Sequence, residues 1–228
     1  MKNVLIIGGT SAGPREETNI EALLLRKMGY NVTVHFTAPD WDEIEALKTW
    51  LNENGIVSYG EISEQIDWVR LGKELKIHQN IIVKTNVSIL PALDFAKVYG
   101  RDVWCAIDSD SDAAFVDQCD YTFRIGMSCD FDESANKMCV TLKPDGLIHY
   151  YERGIDALDF KLEVENLDWN SHDLGIFMCG FIYAFDKGEY TDQCLKFGLA
   201  VHDQIKKGTP FDIETISTIS EVPLQALE

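Results

Sequence analysis

Three alternating carboxylates, Asp108, Asp110 and Asp112, directly follow an apolar run that ends at Ile107. Carboxylates placed at the end of a buried strand can bind a divalent cation or a polar ligand. A solvated loop after a strand has the same composition, so both interpretations stay open. We take Asp108 as a candidate substrate contact.

A second chemical pattern stands near the start of the chain, where the apolar run Val4–Ile7 leads into Gly8 and Gly9. A glycine turn after a buried strand lets the backbone approach a phosphate or another ligand. The GxGxxG pattern of dinucleotide-binding proteins would need glycine where Thr10 stands, although Gly13 fits its last glycine. A turn that only closes a strand is the simpler interpretation, and an NAD(P)-binding oxidoreductase remains an alternative.

The histidines and cysteines do not follow a metal-binding pattern. The five histidines share no close spacing, and the six cysteines are too far apart for a CxxC clamp. We therefore expect no metal site, and we expect most cysteines to be reduced and buried. His172 differs from the other histidines because it precedes a predicted helix at the ligand end of the sheet.

The overall composition disfavours several kinds of partner. A formal charge of -18 repels nucleic-acid backbones and anionic membrane surfaces. No apolar stretch approaches the roughly 18 residues of a membrane span, and the first residues carry no secretion signal. We expect a cytoplasmic protein with a single domain over residues 1–228, without a nucleic-acid or membrane partner.

The elements that must position these residues alternate along the chain. Runs rich in Val and Ile alternate with stretches of helical period, which predicts βαβ units and a mainly parallel sheet. Strands are predicted at Asn3–Ile7, Val32–Phe36, Asn80–Lys84, Asp102–Ile107, Tyr121–Ile125, Met138–Leu142 and Leu147–Tyr151. Helices are predicted from a first turn at Pro14 to a stop at Gly29, then at Trp41–Asn54, Val87–Tyr99, Ile176–Lys187 and Thr191–Lys206.

Several segments, in one order along the chain, resemble motifs of the PfkB or ribokinase-like carbohydrate kinases. Asn19 opens the first helix, and residues 51–56 (LNENGI) resemble the "LxxNGI" helix end. Residues 96–108 (AKVYGRDVWCAID) resemble "AKxxGVPVxxD", and residues 119–123 (CDYTF) resemble "ADYIF". Residues 140–146 (VTLKPDG) resemble "VTLGxxG", and residues 177–184 (FMCGFIYA) with 194–198 (CLKFG) resemble "FxxGFIYA" and "CLxFA". The resemblance implies a three-layer αβα, Rossmann-like fold.

The resemblance also implies where substrates would bind. It places Gly8, Gly9, Asn19 and Asp108 at the substrate site, and His172, Gly175 and Gly146 at the nucleotide or anion site. The family's reaction transfers the γ-phosphoryl group of ATP, with Mg²⁺, to a sugar or nucleoside hydroxyl. Its GAGD loop, which carries the anion hole and the base, corresponds to residues 172–175 here.

The catalytic aspartate position of that loop is therefore occupied by Gly175. Asp173 lies two residues earlier, about 200° around a helix, so it would face elsewhere unless the loop is remodelled. Asp173 is consequently either a displaced base or an ordinary helix-capping carboxylate.

Other family positions also differ. Gly13 stands at the substrate aspartate, Pro14 and Arg15 at a glycine pair, and Lys143 at a glycine; no NxxE motif follows Ile125. The chain also lacks the segments that build the family's β lid.

The resemblance thus implies a lidless ribokinase-like protein with weak or no phosphotransferase activity, which binds a sugar or nucleoside-like ligand. ATP and Mg²⁺ are the expected cofactors if it is active. The alternative is a working kinase with Asp173 as base, His172 on a phosphate, and Asp108 or Asp110 on magnesium or ligand. An oligomer, or a protein partner that replaces the lid, stays open.

Overall fold

The computed structural model describes residues 2–9, 17–62, 67–84, 94, 96–107, 118–126, 136–162, 168–218 and 224–227. The strands are β1 Asn3–Gly9, β2 Asn31–Ala38, β3 Val57–Ile62, β4 Asn80–Val83, β5 Asp102–Ile107, β6 Tyr121–Ile125, β7 Met138–Leu142, β8 Leu147–Glu152, β9 Leu158–Leu162 and β10 Leu224–Leu227. The helices are α1 Glu17–Lys27, α2 Trp41–Glu53, α3 Trp68–Ile77, α4 Ser171–Asp186, α5 Thr191–Lys206 and α6 Ile213–Thr218.

Contacts divide the chain into two compact units, residues 1–105 and 106–228, and the boundary falls inside β5. The single-domain organisation expected from the sequence therefore stays a prediction. In the first unit, parallel pairs join β3 to β2, β2 to β1, β1 to β4 and β4 to β5. The residues of β4 are all buried, which is why parallel strands of this kind read as continuous apolar runs.

The second unit begins with a parallel pair and continues in antiparallel order. β6 pairs with β7 in parallel, whereas β7, β8, β9 and β10 follow one another in antiparallel pairs. α4 packs on β6 through edge-to-face contacts of Phe123 with Phe177 and Phe181. These pairings position the start of α4 beside α5, where the predicted anion loop lies.

The sequence analysis found the buried strands but missed the marginal elements. β5, β6, β7 and α5 have the predicted bounds, whereas β3, β9, β10, α3 and α6 were not predicted. β3 (VSYGEI) buries only the polar residues Ser58 and Glu61 and contains a glycine, so no apolar run marks it. α3 is only ten residues long and buries Leu71 and Leu75, one turn apart, so its apolar face is short.

Two predicted boundaries were wrong. α4 begins at Ser171 rather than at Ile176, because Asn170 caps the helix five residues earlier. Gly8 and Gly9 belong to β1 and pair with Phe36 and Thr37, so the turn starts after them. Of the helix predicted at 87–99, residues 94 and 96–98 are helical, and 87–93 and 95 lie outside the described residues.

Candidate functional site

Gly8 lies at a close approach between β1, α1 and the end of β4. A Cβ atom at this position would stand 2.9 Å from Thr18 Oγ1 and 3.0 Å from Lys84 Cγ. Asn19 is fully buried in the first turn of α1. The structure thus brings the predicted substrate residues Gly8 and Asn19 to the carboxyl end of β1, the edge at which open α/β sheets bind ligands.

A buried ion pair stands at the same edge and was not predicted. Lys84 Nζ donates to Glu21 Oε1 at 2.5 Å, and the two residues are 4% and 1% exposed. Lys84 directly follows the buried strand β4, and Glu21 belongs to α1. A lysine placed immediately after an apolar run was the available signal, but its partner lies 63 residues away and could not be read from the sequence.

Some predicted residues lie outside the described part of the chain. These are Asp108, with the neighbouring Asp110 and Asp112, and Gly13 of the glycine-rich turn. The predicted role of Asp108 stays a prediction.

Asp173 lies in the first turn of α4 and forms a capping box with Asn170. The Asp173 N–H donates to Asn170 Oδ1 at 3.0 Å, and the Asn170 N–H donates to Asp173 Oδ2 at 3.2 Å. Reciprocal bonds of this kind satisfy donors that a helix start otherwise leaves unpaired. The backbone contacts of Asp173 are therefore those of a helix-capping residue.

The same carboxylate also binds two basic side chains of α5. His202 Nε2–H donates to Asp173 Oδ1 at 3.0 Å, and Lys206 Nζ donates to the same oxygen at 2.9 Å. Asp173 is 2% exposed. Trp169 lies against the His202 ring, with the ring centroids 4.0 Å apart. The cluster joins the start of α4 to the end of α5.

The electrostatics of this cluster keep Asp173 ionised. Burial alone would raise the pKa of the carboxyl, but hydrogen bonds from Lys206, His202 and the Asn170 N–H bring the pKa below its usual value. Burial lowers the pKa of His202, against the opposing attraction of Asp173. A carboxylate with this many donors is a weak proton acceptor.

The other predicted anion contacts occupy helical or turn positions. His172 is the second residue of α4 and is half-buried, and Gly175 is buried inside the helix. Gly146 has φ +82 in the turn between β7 and β8, where its N–H donates to the Lys143 carbonyl. Its own carbonyl accepts the Leu162 N–H. The Gly146 N–H is thus already used by the turn.

The described residues also bear on metal binding and on membrane insertion. Over these ranges no group of three or more His, Cys, Asp or Glu side chains converges on a point where an ion could bind. None of the described helices has the length and apolar character needed to cross a membrane. Five cysteines, Cys105, Cys119, Cys139, Cys179 and Cys194, are free and buried as expected, and Cys129 lies outside the described residues.

Comparison with known proteins gives a likeness in structure alone. No model of a protein family matches the chain, and no curated protein matches it. A carbohydrate kinase from Agrobacterium tumefaciens superposes with a TM-score of 0.74 at 11% identity, covering 100% of both chains. A microbiome-derived acarbose kinase gives 0.72 at 13% identity, covering 96% of this chain and 99% of the other.

A pyrophosphate-dependent kinase of the ribokinase family, complexed with a pyrophosphate analogue and myo-inositol, gives a TM-score of 0.64 at 10% identity. That match covers 95% of this chain and 100% of the other. The chain has the ribokinase-like α/β fold, with a mainly parallel mixed sheet and flanking helices, as the resemblance implied. Identities this low establish the fold and leave the activity to be argued from the site.

Proposed function

We propose that this ribokinase-like chain is a carbohydrate-kinase-like protein that binds a sugar or nucleoside-like ligand and transfers phosphate weakly or not at all. The ligand would bind at the carboxyl end of β1, near Gly8, Gly9 and Asn19, and Asp108 stays a contact predicted from the sequence. The structural neighbours, which are named as kinases of carbohydrates or of sugar-like substrates, support a small hydroxylated ligand. Residues of this chain support a weak transfer reaction, as follows from their contacts.

One observation carries the proposal: the Asp173 carboxylate is occupied by structural contacts. A general base must lie within hydrogen-bond reach of the substrate hydroxyl and must accept its proton. Asp173 instead caps α4 and accepts hydrogen bonds from His202 and Lys206, at 2% exposure and with a pKa below the usual value. Gly175, at the family's base position, has no side chain to offer.

The described residues also give little support for binding the phosphates of a nucleotide. Phosphoryl transfer depends on donors and a metal ion that neutralise charge on the transferred group. At the start of α4 the Asp173 N–H is already bonded to Asn170 Oδ1, and the Gly146 N–H is bonded within its turn. Among the described residues no carboxylate cluster fits Mg²⁺. ATP and Mg²⁺ are therefore proposed as cofactors only if the protein is active.

A transfer assay tests the proposal directly. Purified protein is incubated with Mg²⁺ and either ATP or pyrophosphate, against pooled sugars, myo-inositol and nucleosides, and products are followed by mass spectrometry. We expect little or no phosphorylated product from the wild type. Abundant product that disappears in Asp173→Asn, while Asp192→Asn keeps it, would instead support the remodelled kinase with Asp173 as base.

Ligand binding is measured separately, because a protein without transferase activity can still bind. Each pool is added without a phosphate donor, and the melting temperature is recorded; a bound ligand raises it by mass action. We expect one sugar or nucleoside pool to raise the melting temperature, and no effect from any pool would contradict the proposed ligand class. A change in NADH fluorescence on mixing would favour the oxidoreductase alternative.

A further inference from the structure

A buried polar cluster, made of residues with no role assigned above, lies under the start of α3. His35 of β2 is 1% exposed, and Glu61 of β3 is 8% exposed. His35 Nε2 lies 3.4 Å from Glu61 Oε2. In the parallel register Tyr59 pairs with His35 and Glu61 pairs with Thr37, so the side chains of His35 and Glu61 point to the same face of the sheet.

Glu61 connects this cluster to the start of α3. The Asp67 N–H donates to Glu61 Oε2 at 2.6 Å. Asp67 is the N-cap of α3, and its Oδ1 accepts the N–H groups of Val69 at 3.1 Å and Arg70 at 3.0 Å. One carboxylate oxygen therefore faces both the His35 ring and the residue that starts the helix.

The cluster contains buried polar atoms that are not satisfied by the described residues. Within those residues, His35 Nδ1 and Glu61 Oε1 have no hydrogen-bond partner, and the one polar neighbour of His35 Nε2 is Glu61 Oε2 at 3.4 Å. Native proteins rarely leave buried polar atoms unpaired, because desolvation without a compensating bond is costly. The unpaired atoms of this cluster surround one titratable group, the His35 ring.

The charged groups that face His35 come from two elements. Glu61 faces it from β3, Asp67 from the cap of α3, and Arg70 from the first turn of α3. Farther along α3, Glu74 bonds to Tyr59, the strand neighbour of His35, and Arg70 lies 5.1 Å above the Tyr59 ring. Burial lowers the pKa of His35 and Arg70 adds to this, against the attraction of Glu61 and Asp67.

We propose that His35, Glu61 and the Asp67 cap form an acid-released latch that holds the start of α3 against β2 and β3. Above the titration range of His35 the ring is neutral, and Glu61 Oε2 remains the acceptor of the Asp67 N–H. A proton taken from solvent by a ring nitrogen places a positive charge in a buried site and draws Glu61 Oε2 towards the ring. The Asp67 bond then breaks, and the start of α3 opens to hydrate the imidazolium.

The direction of the pH effect follows from proton linkage. The closed state binds fewer protons at His35 than the open state does, so acidification favours the open state. One proton allows the opening equilibrium to rise by at most about tenfold for each pH unit. Because Gly8 and Gly9 pair with Phe36 and Thr37 of β2, the latch lies at the same end of the sheet as the proposed ligand edge. The latch itself does not depend on the proposed function.

Nuclear magnetic resonance can follow both ends of the latch in the full-length protein. The His35 ring protons and the Asp67 amide are recorded between pH 8 and pH 5. We expect His35 to titrate below the ordinary histidine value of about 6.5, and the Asp67 amide to shift with the same midpoint. Protection of the Val69 and Arg70 amides against hydrogen exchange should fall over the same range.

Variants distinguish the titration of His35 from other effects of low pH on the Asp67 amide. His35→Gln cannot titrate, so the Asp67 amide should lose its shift in this range. His149→Gln is the matched control, because His149 is a half-exposed histidine whose Nδ1 lies 2.7 Å from Asp159 Oδ1 in the other unit; the Asp67 shift should persist there. Glu61→Gln removes the nearest negative charge, so the His35 midpoint should fall further.

Two results would overturn the latch. The first is a His35 midpoint at or above about 6.5 in the wild type, a measurement that needs no variant. The second is an Asp67 titration that remains unchanged in His35→Gln. If His35→Gln does not fold, the wild-type midpoints of His35 and Asp67 still decide, because unequal midpoints contradict the coupling.

Discussion

At the scale of the residue, the neighbours of Asp173 engage its carboxylate in structural contacts. Its carboxylate accepts hydrogen bonds from the Asn170 backbone and from two α5 side chains, His202 and Lys206. The sequence left two interpretations open, a displaced base and a capping group. The contacts account for the capping group and add a link between helices that the sequence did not indicate.

Replacing Asp173 should therefore weaken the fold as well as any chemistry. Asp173→Ala removes one of the two bonds of the capping box and leaves His202 and the Asn170 N–H without their acceptor, so we expect a loss of about 2–4 kcal/mol in the free energy of unfolding. Asp192→Ala is the control, because its carboxylate is 44% exposed and lies 3.7 Å from Lys196; we expect less than about 1 kcal/mol. Urea denaturation measures both, and equal stabilities would contradict the structural role.

The contribution of Asp173 should also depend on pH. Its pKa is lowered in the folded protein, so the folded state holds the proton less tightly than the unfolded chain does. The stabilisation is complete above the unfolded value of about 3.9 and is lost as pH falls through the folded value. Urea midpoints between pH 5 and pH 2.5 should fall less steeply in Asp173→Asn than in the wild type, whereas parallel curves would contradict this.

At the scale of the element, α4 and α5 pack with their backbones in close approach. A Cβ atom at Gly180 would stand 2.9 Å from Gly198 Cα, and one at Gly198 would stand 2.8 Å from the Phe177 carbonyl oxygen. Backbone atoms cannot move aside as a flexible side chain can. These two glycines therefore set the distance between the helices, and with it the reach of His202 and Lys206 to Asp173.

Alanine at Gly180 or Gly198 should destabilise the protein by about 1–3 kcal/mol through overpacking. Gly72 of α3 is the control, because its substitution should change stability in the opposite direction. A Cβ atom at this position would have no neighbouring atom within 4 Å. We expect Gly72→Ala to stabilise the protein by about 0.5–1 kcal/mol through helix propensity. Thermal denaturation of the three variants is the measurement, and a shift of the same sign in all three would contradict the packing argument.

The Lys84–Glu21 pair connects α1 to the end of β4 beneath Gly8. Lys84→Met leaves the Glu21 charge buried without this cation, so we expect a loss of about 3–5 kcal/mol. The double variant Glu21→Met with Lys84→Met removes both charges and should recover part of that loss. Chemical denaturation of the four proteins of this cycle gives the coupling energy, and additive losses would contradict the pairing.

At the scale of the whole molecule, the boundary between the two units falls inside a strand. β5 runs from Asp102 to Ile107, and the contact boundary lies between Cys105 and Ala106. A strand that loses its last residues loses part of its hydrogen bonding. The single domain predicted from composition implies that the two units unfold together.

Variants placed in each unit test this cooperativity. Lys84→Met lies in residues 1–105 and Asp173→Ala lies in residues 106–228. We expect calorimetry to give one unfolding transition in the wild type, and either variant to lower the midpoint of that same transition. Two transitions, each lowered only by the variant in its own unit, would contradict the single domain.

The sequence alone determined the buried strands, the α/β class and the order of motifs. Runs such as residues 81–83 and 138–140 are apolar because their strands are buried on both faces, and this burial is evident from the local sequence. Positions with a local signature, such as the cap Asp40 of α2, are also readable from the sequence.

The tertiary structure alone decided what the charged residues contact. His202 and Lys206 are 29 and 33 residues from Asp173, and Glu21 is 63 residues from Lys84. No local period or spacing encodes such pairs, because they form only when helices and strands pack. The sequence could therefore place Asp173 at the start of a helix. The hydrogen bonds of its carboxylate to His202 and Lys206 form only because α5 packs against α4.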